Sequence, residues 1–259
     1  MNISFSKYHG AGNDFIIIDN RENQLPPDSE TIKKLCHRQL GIGADGLMLL
    51  ENDVDHDFRM RYFNSDGNEA TMCGNGGRCI VMFANKLGMI GDQTSFNGVD
   101  GLHHATIVDK ETVNLGMKGV DAIEQEEDYY LLNTGSPHCV SFVENIDRID
   151  VNTEGRFIRN SIKPNSGGVN VNFVQITSEG IRVRTYERGV ESETLSCGTG
   201  SVAAAIATEY WLEEGKNEYT IFTKGGTLYV SFEKTGKNSY SNIWLKGPVK
   251  HVFDGIYIM

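Results

Sequence analysis

The feature that most constrains this chain is a repeat. Arg59-Met60-Arg61-Tyr62-Phe63-Asn64 leads to Cys73-Gly74-Asn75-Gly76, and Arg182-Val183-Arg184-Thr185-Tyr186-Glu187 leads to Cys197-Gly198-Thr199-Gly200. The strand-like segments are offset by 123 residues and the cysteines by 124, so the second copy carries one extra residue before its thiol. A third pair, Gly12-Asn13-Asp14-Phe15 and Gly135-Ser136-Pro137-His138, again lies 123 apart. A shared offset across several segments marks a duplicated unit. It predicts two similar domains, each ending a strand in a Cys-Gly-x-Gly helix start, and 259 residues suit one or two domains.

Each motif has its own chemistry. Cys73-Gly74-Asn75-Gly76-Gly77-Arg78 opens directly onto the apolar Cys79-Ile80-Val81-Met82-Phe83-Ala84, a tight turn feeding a helix with the thiol at its N-terminus. The first N–H groups of a helix have no intrahelical partner, so they attract anions and favour thiolate over thiol. Taken alone, the stretch is equally a buried cysteine before a Gly-rich turn. The second copy makes the two a candidate pair. If both termini serve one ligand from opposite sides, they suit a carboxylate, each being worth about 0.3–1 kcal/mol when exposed and ~2 kcal/mol when partly buried. One thiolate then removes a proton from one face of a carbon and the other thiol returns one to the opposite face, which is racemisation or epimerisation by two bases. Hydrogen-bond donors around the neighbouring carboxylate stabilise the carbanion, one such donor typically being worth about 2.7–4 kcal/mol. Nothing in the sequence points to a pyridoxal site, and Cys73 and Cys79 lack His or Cys partners at zinc-like spacing, so neither cofactor nor metal is expected.

Charge and cysteine usage narrow the class further. Lys and Arg number 24 against 35 Asp and Glu, a net charge of −11 that argues against a nucleic-acid or anionic-membrane surface. Residues 1–14 hold charge, histidine and glycine where a signal peptide needs an apolar core, and apolar runs such as 202–207 fall far short of a membrane span. The five cysteines (Cys36, Cys73, Cys79, Cys139 and Cys197) are an odd, scattered set that does not read as a disulfide framework. A reducing cytoplasm is the expected setting.

Hydrophobic period and turn residues place the elements. Strands are expected at 2–8, 15–19, 58–63, around 94–96, 103–108 and 112–115, then at 129–133, 169–176, 181–186, 242–245 and 249–258, with apolar runs at 47–50 and 139–143. Turns are expected at 9–14, 41–46, 64–68 and 134–138, a loop at 165–168 and a hairpin at Gly225-Gly226. Helices are expected from about 30 to 39, from the Cys73 loop to about 88, over 153–161 and over 199–213. Residues 118–128, with the like-charge run Glu124-Gln125-Glu126-Glu127-Asp128, read as a solvated linker. The class is α+β, with residues 1–117 carrying Cys73, joined by a C-terminal strand at about 249–259, and residues 118–248 carrying Cys197.

Met72-Cys73-Gly74-Asn75-Gly76-Gly77-Arg78, and Glu187-Arg188-Gly189 followed by Glu193-Thr194-Leu195-Ser196-Cys197-Gly198-Thr199-Gly200, resemble the two signatures of diaminopimelate epimerase. Residues 9–15 and 41–46, Pro137-His138-Cys139-Val140, and Gly247-Pro248 with Phe253-Asp254-Gly255 resemble the same family, so the likeness spans essentially the whole chain. It implies two pseudo-symmetric domains, each a mostly antiparallel, barrel-like sheet wrapped around a central helix. It further implies a cofactor-independent enzyme that interconverts LL- and meso-diaminopimelate for lysine and peptidoglycan synthesis. The setting implied is cytoplasmic and homodimeric, with a small-molecule substrate and no nucleic-acid or membrane partner. By matched position, Cys73 and Cys197 are the catalytic cysteines, and His138 and Glu187 assist at the reacting amine and thiols. The backbone at Gly74, Asn75, Gly198 and Thr199 matches a cradle for the reacting carboxylate. Asn13, Asn64, Ser136, Asn170, Glu187 and Arg188 match the polar set that holds the substrate, chiefly its distal end. A zwitterionic distal end needs a guanidinium for its carboxylate and oxygen acceptors for its ammonium, which fits that set.

Three positions depart from the family pattern. Ser136 stands where asparagine is usual, Val190-Glu191-Ser192 makes its loop one residue longer, and Phe253 replaces a tyrosine that steadies the family's dimer. A second reading is another two-cysteine enzyme, a proline racemase or hydroxyproline epimerase; those carry histidine where Asn75 stands and lack the Glu187-Arg188 pair. A more distant one is a non-catalytic thiol protein for redox sensing or binding. Cys36, Cys79 and Cys139 read as small buried residues, His103-His104 as exposed strand, and His138, apart from the repeat and the resemblance, as an ordinary turn histidine. No GxGxxG or Gly-Lys-Ser/Thr loop marks a nucleotide site.

Overall fold

The computed structural model describes residues 2–162 and 167–258. The chain forms two compact units, Met1–Leu115 with Gly247–Met259, and Gly116–Lys246. In chain order the elements are β1 (Asn2–Gly10), β2 (Asn13–Asp19), α1 (Ser29–Cys36), β3 (Gly46–Glu51), β4 (Phe58–Asn64), β5 (Glu69–Ala70), α2 (Gly74–Lys86), β6 (Gln93–Gly98), β7 (Gly101–Asp109) and β8 (Thr112–Met117). Next come β9 (Ile123–Gln125), β10 (Tyr130–Asn133), β11 (Pro137–Phe142), a 3-10 turn (Ile146–Arg148), α3 (Val151–Ser161), β12 (Asn170–Thr177), β13 (Gly180–Glu187) and β14 (Ser192–Thr194). The chain ends with α4 (Gly198–Leu212), β15 (Glu218–Thr223), β16 (Gly226–Lys234), β17 (Tyr240–Pro248) and β18 (Lys250–Ile258). No helix of the described residues is long and apolar enough to cross a membrane.

Strand pairing repeats the duplication seen in the sequence. In the first unit β18, β1 and β2 pair antiparallel, β2 and β3 parallel, β3 and β4 antiparallel, β4 and β6 parallel, and β6 to β8 antiparallel. In the second, β9 to β11 pair antiparallel, β11 and β12 parallel, β12 and β13 antiparallel, β13 and β15 parallel, and β15 to β17 antiparallel. Short β5 and β14 sit on β4 and β13 in the same way. A parallel pair needs a crossover, and each unit fills its two crossovers with helices: α1 and α2 in one, α3 and α4 in the other. The first copy takes its leading strand, β18, from the far end of the chain, where the second uses β9.

One helix in each unit is buried on nearly every side, as an apolar-all-round helix must be. α2 buries residues 74–81, Phe83 and Ala84 against β1, β2, β3, β4 and β7. α4 buries residues 198–209, with Ala203, Ala204, Ala205 and Ala207 small enough for strands on several sides to close around it. Both helices begin at the glycines after a cysteine, and the αL residue Glu213 stops α4.

The observed elements depart from the sequence reading in several places. The first turn is only Ala11-Gly12, with φ of 51° and 85°, so His9 and Asn13 belong to the ladder; two left-handed residues give the type I′ hairpin that suits twisted strands. α1 stops at Cys36 because His37 Nδ1 accepts the backbone N–H groups of Gln39 and Leu40, which a helix would otherwise need. The span 118–128 is no free linker. Its acidic residues are exposed, but Val120 bridges Tyr240 and Ile123–Gln125 pairs with β10. His138 lies inside β11, one residue after Pro137, rather than in the turn. Of the loop expected at 165–168, residues 165 and 166 lie outside the described residues.

Candidate active site

In the first unit Cys73 is the N-cap of α2, with an extended backbone (φ −108°) and a side chain that does not cap the helix. The first intrahelical bond runs from Gly77 N to Cys73 O, so the amides of residues 74–76 have no acceptor within the helix. The Cys73 thiol donates to Asn13 Oδ1 at 3.5 Å, and Asn75 Nδ2 donates to the same oxygen at 3.3 Å. Asn13 is held from behind. Its Nδ2 donates to Asp45 at 2.8 Å, and because a carboxylate only accepts, this turns Oδ1 towards the thiol. Arg38 grips both Asp45 and Asp14, and Lys7 pairs with Asp14. Burial raises the Asp14 pKa, but hydrogen bonds from Arg38 and Lys7 outweigh it and bring it down to about 2. Asn64 closes β4, half-buried, opposite Gly46. No Cβ fits easily at Gly10, where it would meet the Asn75 carbonyl at 3.0 Å, so β1 passes close under the start of α2.

In the second unit Cys197 is the N-cap of α4, again without capping it, and is 7% exposed. Its Sγ lies 3.5 Å from Thr199 Oγ1, and Thr134 Oγ1 donates to the Thr199 carbonyl at 2.9 Å. Asn170 joins three of the predicted positions. Its Nδ2 donates to Ser136 Oγ at 3.0 Å and to the Pro137 carbonyl at 3.2 Å, while its Oδ1 accepts from Arg188 N at 2.9 Å. The Arg188 guanidinium donates to Gly168 O at 3.3 Å, and Glu187 accepts from Thr194 Oγ1 at 2.9 Å. The lengthened loop beside them is tied down: Glu191, at φ 59°, accepts from Gly189 N and Tyr186 OH and pairs with Arg159. His138 is fully buried, and burial, with Arg188 adding to it, lowers its pKa to about 3. The imidazole is therefore neutral at physiological pH.

The structure thus gathers Asn13, Cys73, Gly74 and Asn75 at the head of α2. It gathers Ser136, Asn170 and Arg188 on the adjoining ends of β11, β12 and β13, and Cys197, Gly198 and Thr199 at the head of α4. The remaining cysteines are buried, and burial pushes Cys36 and Cys139 up to about 12 and Cys79 higher still. His103 corrects the exposed-strand reading: it is 7% exposed, stacked on Phe96 and bonded to Asp100, while His104 is exposed. Among the described residues no three His, Cys, Asp or Glu side chains group as a metal site.

A family model described as diaminopimelate epimerase matches residues 5–121 and 130–252. Relatives named diaminopimelate epimerase include one from Flavobacterium psychrophilum, 53% identical over 251 residues (96% of this chain and 97% of the relative). Another, from Chlorobaculum tepidum, is 41% identical over 95% of this chain and 98% of its own length. The chain belongs to the diaminopimelate epimerase family. That makes it an isomerase. Solved structures extend the likeness in fold alone: a PhzF-family phenazine biosynthesis protein from Bacillus anthracis superposes over the whole of both chains with a TM-score of 0.75 at 14% identity. A hydroxyproline epimerase from Agrobacterium vitis does so over 98% of this chain and 92% of its own, with a TM-score of 0.73 at 15% identity.

Three residues around this family's motifs escaped the sequence reading. Arg78 is wholly buried in α2, donating to the Gly74 carbonyl at 3.1 Å and to Asn75 Oδ1 at 2.8 Å; burial lowers its pKa to about 10. It thus fixes Gly74 and Asn75, two of the four residues matched to the carboxylate cradle. Asn172 and Thr185 are buried beside His138. An arginine at the fifth place after a motif cysteine was a visible signal for the first, whereas the other two look like ordinary polar strand residues.

Proposed function

We propose that this protein interconverts LL- and meso-diaminopimelate without a cofactor, using Cys73 and Cys197 as a thiolate–thiol pair. One thiolate takes the α-proton and becomes a thiol, leaving a carbanion; the other thiol gives its proton to the opposite face and becomes a thiolate. The centre is inverted, atoms and charge balance, and the two sulfurs exchange roles. The observation that carries the reading is the family match across both cysteine motifs, each cysteine being the non-capping N-cap of a buried helix. The helix-start amides, which have no acceptor within their own helix, suit the reacting carboxylate, whose charge grows in the transition state. Glu187 and His138 assist at the reacting amine and thiols, and Asn13, Asn64, Ser136, Asn170 and Arg188 hold the distal amino-acid end, Arg188 taking its carboxylate.

The same reading makes the protein a cytoplasmic homodimer serving lysine and peptidoglycan synthesis. β18 leaves Val252, Phe253, Ile256 and Ile258 exposed, apolar area in keeping with a second copy, and Phe253 packs edge-on against Phe5 at 5.8 Å between ring centroids. Sedimentation of the purified chain tests the dimer. The substrate is tested by a panel of LL-diaminopimelate, L-proline and trans-4-hydroxy-L-proline, following optical rotation or chiral separation with no cofactor added. Turnover of diaminopimelate alone is expected; turnover of the proline compounds in its place overturns the substrate assignment.

A further inference from the structure

The two halves share a ladder but differ in what they bury at one level of it. In the first unit the pairs Ile17–Met48 and Met48–Tyr62 place Met48 beside Tyr62, whose ring meets that of Phe15 edge-on at 6.0 Å. In the second, the equivalent pairs Val140–Asn172 and Asn172–Thr185 place three polar side chains, His138, Asn172 and Thr185, at the same positions. The helix glycines confirm the match: a Cβ on Gly76 would lie 3.1 Å from Met48 Sδ, and one on Gly200 would lie 2.3 Å from Asn172 Oδ1. The first half fills these positions with Phe15, Met48 and the ring of Tyr62, so the fold does not need an imidazole, an amide and a hydroxyl packed together here. Burying polar groups is costly unless they are bonded, so the substitution calls for a function.

The bonds within the trio determine where the proton sits. Asn172 Nδ2 lies 3.0 Å from the Cys139 carbonyl oxygen and 3.0 Å from His138 Nδ1, and Asn172 Oδ1 accepts from Thr185 Oγ1 at 2.9 Å. Turning the amide over would set two acceptor oxygens 3.0 Å apart, so the orientation is forced. The amide nitrogen can only donate, hence Nδ1 must accept and the ring proton must be on Nε2. Nε2 has no hydrogen-bond partner among the described residues, although it is buried.

We propose that Asn172, braced by Thr185 and the Cys139 carbonyl, is a positioning residue that locks His138 as the Nε2–H tautomer, so that His138 donates a hydrogen bond to an anion formed in the reaction and does not accept a proton. Nε2 has no lone pair to take a thiol proton, and Nδ1 is already occupied by the amide donor. The anion it serves is a thiolate sulfur or a carboxylate oxygen. The inference rests on the reading of His138 as part of the epimerising site.

Imidazole 15N NMR on the full-length protein, with histidine labelled, tests it without any mutation. The His138 resonances should show a pyrrole-type Nε2 and a pyridine-type Nδ1; the reverse pattern overturns the inference whatever the activity. Asn172→Asp replaces the donor with an acceptor and should move the proton to Nδ1. Loss of the Nε2 donor should then lower kcat about 10²-fold, with KM changed by less than about threefold. A variant with the reversed spectrum and kcat within about threefold of wild type refutes the donor role. Failure of the wild-type protein to turn over diaminopimelate, with the expected spectrum present, would instead sink the substrate reading and leave the tautomer lock standing.

Discussion

Acid should weaken the second half of this protein through one histidine. His138 is fully buried and its pKa falls from 6.5 to about 3, chiefly by desolvation. Between these values the unfolded chain binds a proton that the native chain does not, so stability is complete above pH 6.5 and drains away as pH falls towards 3. From pH 7.5 to 4.5 the loss from this group alone is on the order of 2–3 kcal/mol. Other groups titrate in the same window, so the clean quantity is a difference. His138→Phe, which installs the residue present at the equivalent place in the first half, removes the titration and nothing else that depends on pH. The only two tryptophans, Trp211 and Trp244, both lie in the second unit, so their fluorescence in urea follows that unit's unfolding. Wild type should lose roughly 2–3 kcal/mol more than His138→Phe over this pH range. Equal losses in the two proteins would show that His138 is protonated in the native state near its ordinary pKa, and the neutral-imidazole account would fail.

Further outcomes follow from the same geometry. Gly200→Ala sets a Cβ 2.3 Å from Asn172 Oδ1 and should destabilise by ~1–3 kcal/mol, whereas Gly76→Ala meets only the yielding thioether of Met48 and should stay within ~1 kcal/mol; thermal unfolding of the pair decides it. Holding Arg78 charged at neutral pH, with its pKa lowered from 12.5 to about 10, costs about 3 kcal/mol. Arg78→Met relieves that cost but takes the guanidinium partner from Asn75 Oδ1, at ~1–3 kcal/mol, while the Gly74 carbonyl keeps its helical bond, so urea unfolding should move by less than ~3 kcal/mol. Its kcat/KM should nonetheless fall, and a folded variant at full kcat/KM would show that the guanidinium does not shape the cradle. Iodoacetamide at pH 8 should label the half-buried Cys73 well before Cys36, Cys79 or Cys139, whose thiols are buried and hard to ionise; peptide mapping that finds one of those three first would contradict the burial.

The repeat, the two central helices and their N-terminal cysteines were legible because their signals are local: a glycine run, then an apolar run, twice. Elements whose cause lies far along the chain were not. Pro137 reads as a turn residue, yet proline is welcome at the first residue of a strand, and β11 begins there with His138 facing the core. Asn172 touches His138 across 34 residues of sequence, and Thr185 joins them only through strand pairing. Either would pass for a solvent-facing residue in an alternating strand. Arg78 sits in a helix where a charged side chain normally reaches water, and only the enclosing strands bury it. Charge alone made 118–128 look like a linker, while Val120 and Ile123, apolar in a largely charged stretch and both buried, were the overlooked sign of pairing.

The central claim is that two thiols divide one proton transfer. It is tested most directly by incubating LL-diaminopimelate in deuterated water, with no cofactor, with wild type, Cys73→Ala and Cys197→Ala, and reading both stereochemistry and deuterium by NMR and mass spectrometry. Wild type should yield meso product bearing solvent deuterium at one α-carbon only, and each alanine variant should lose the interconversion. Full interconversion by either variant would contradict the account.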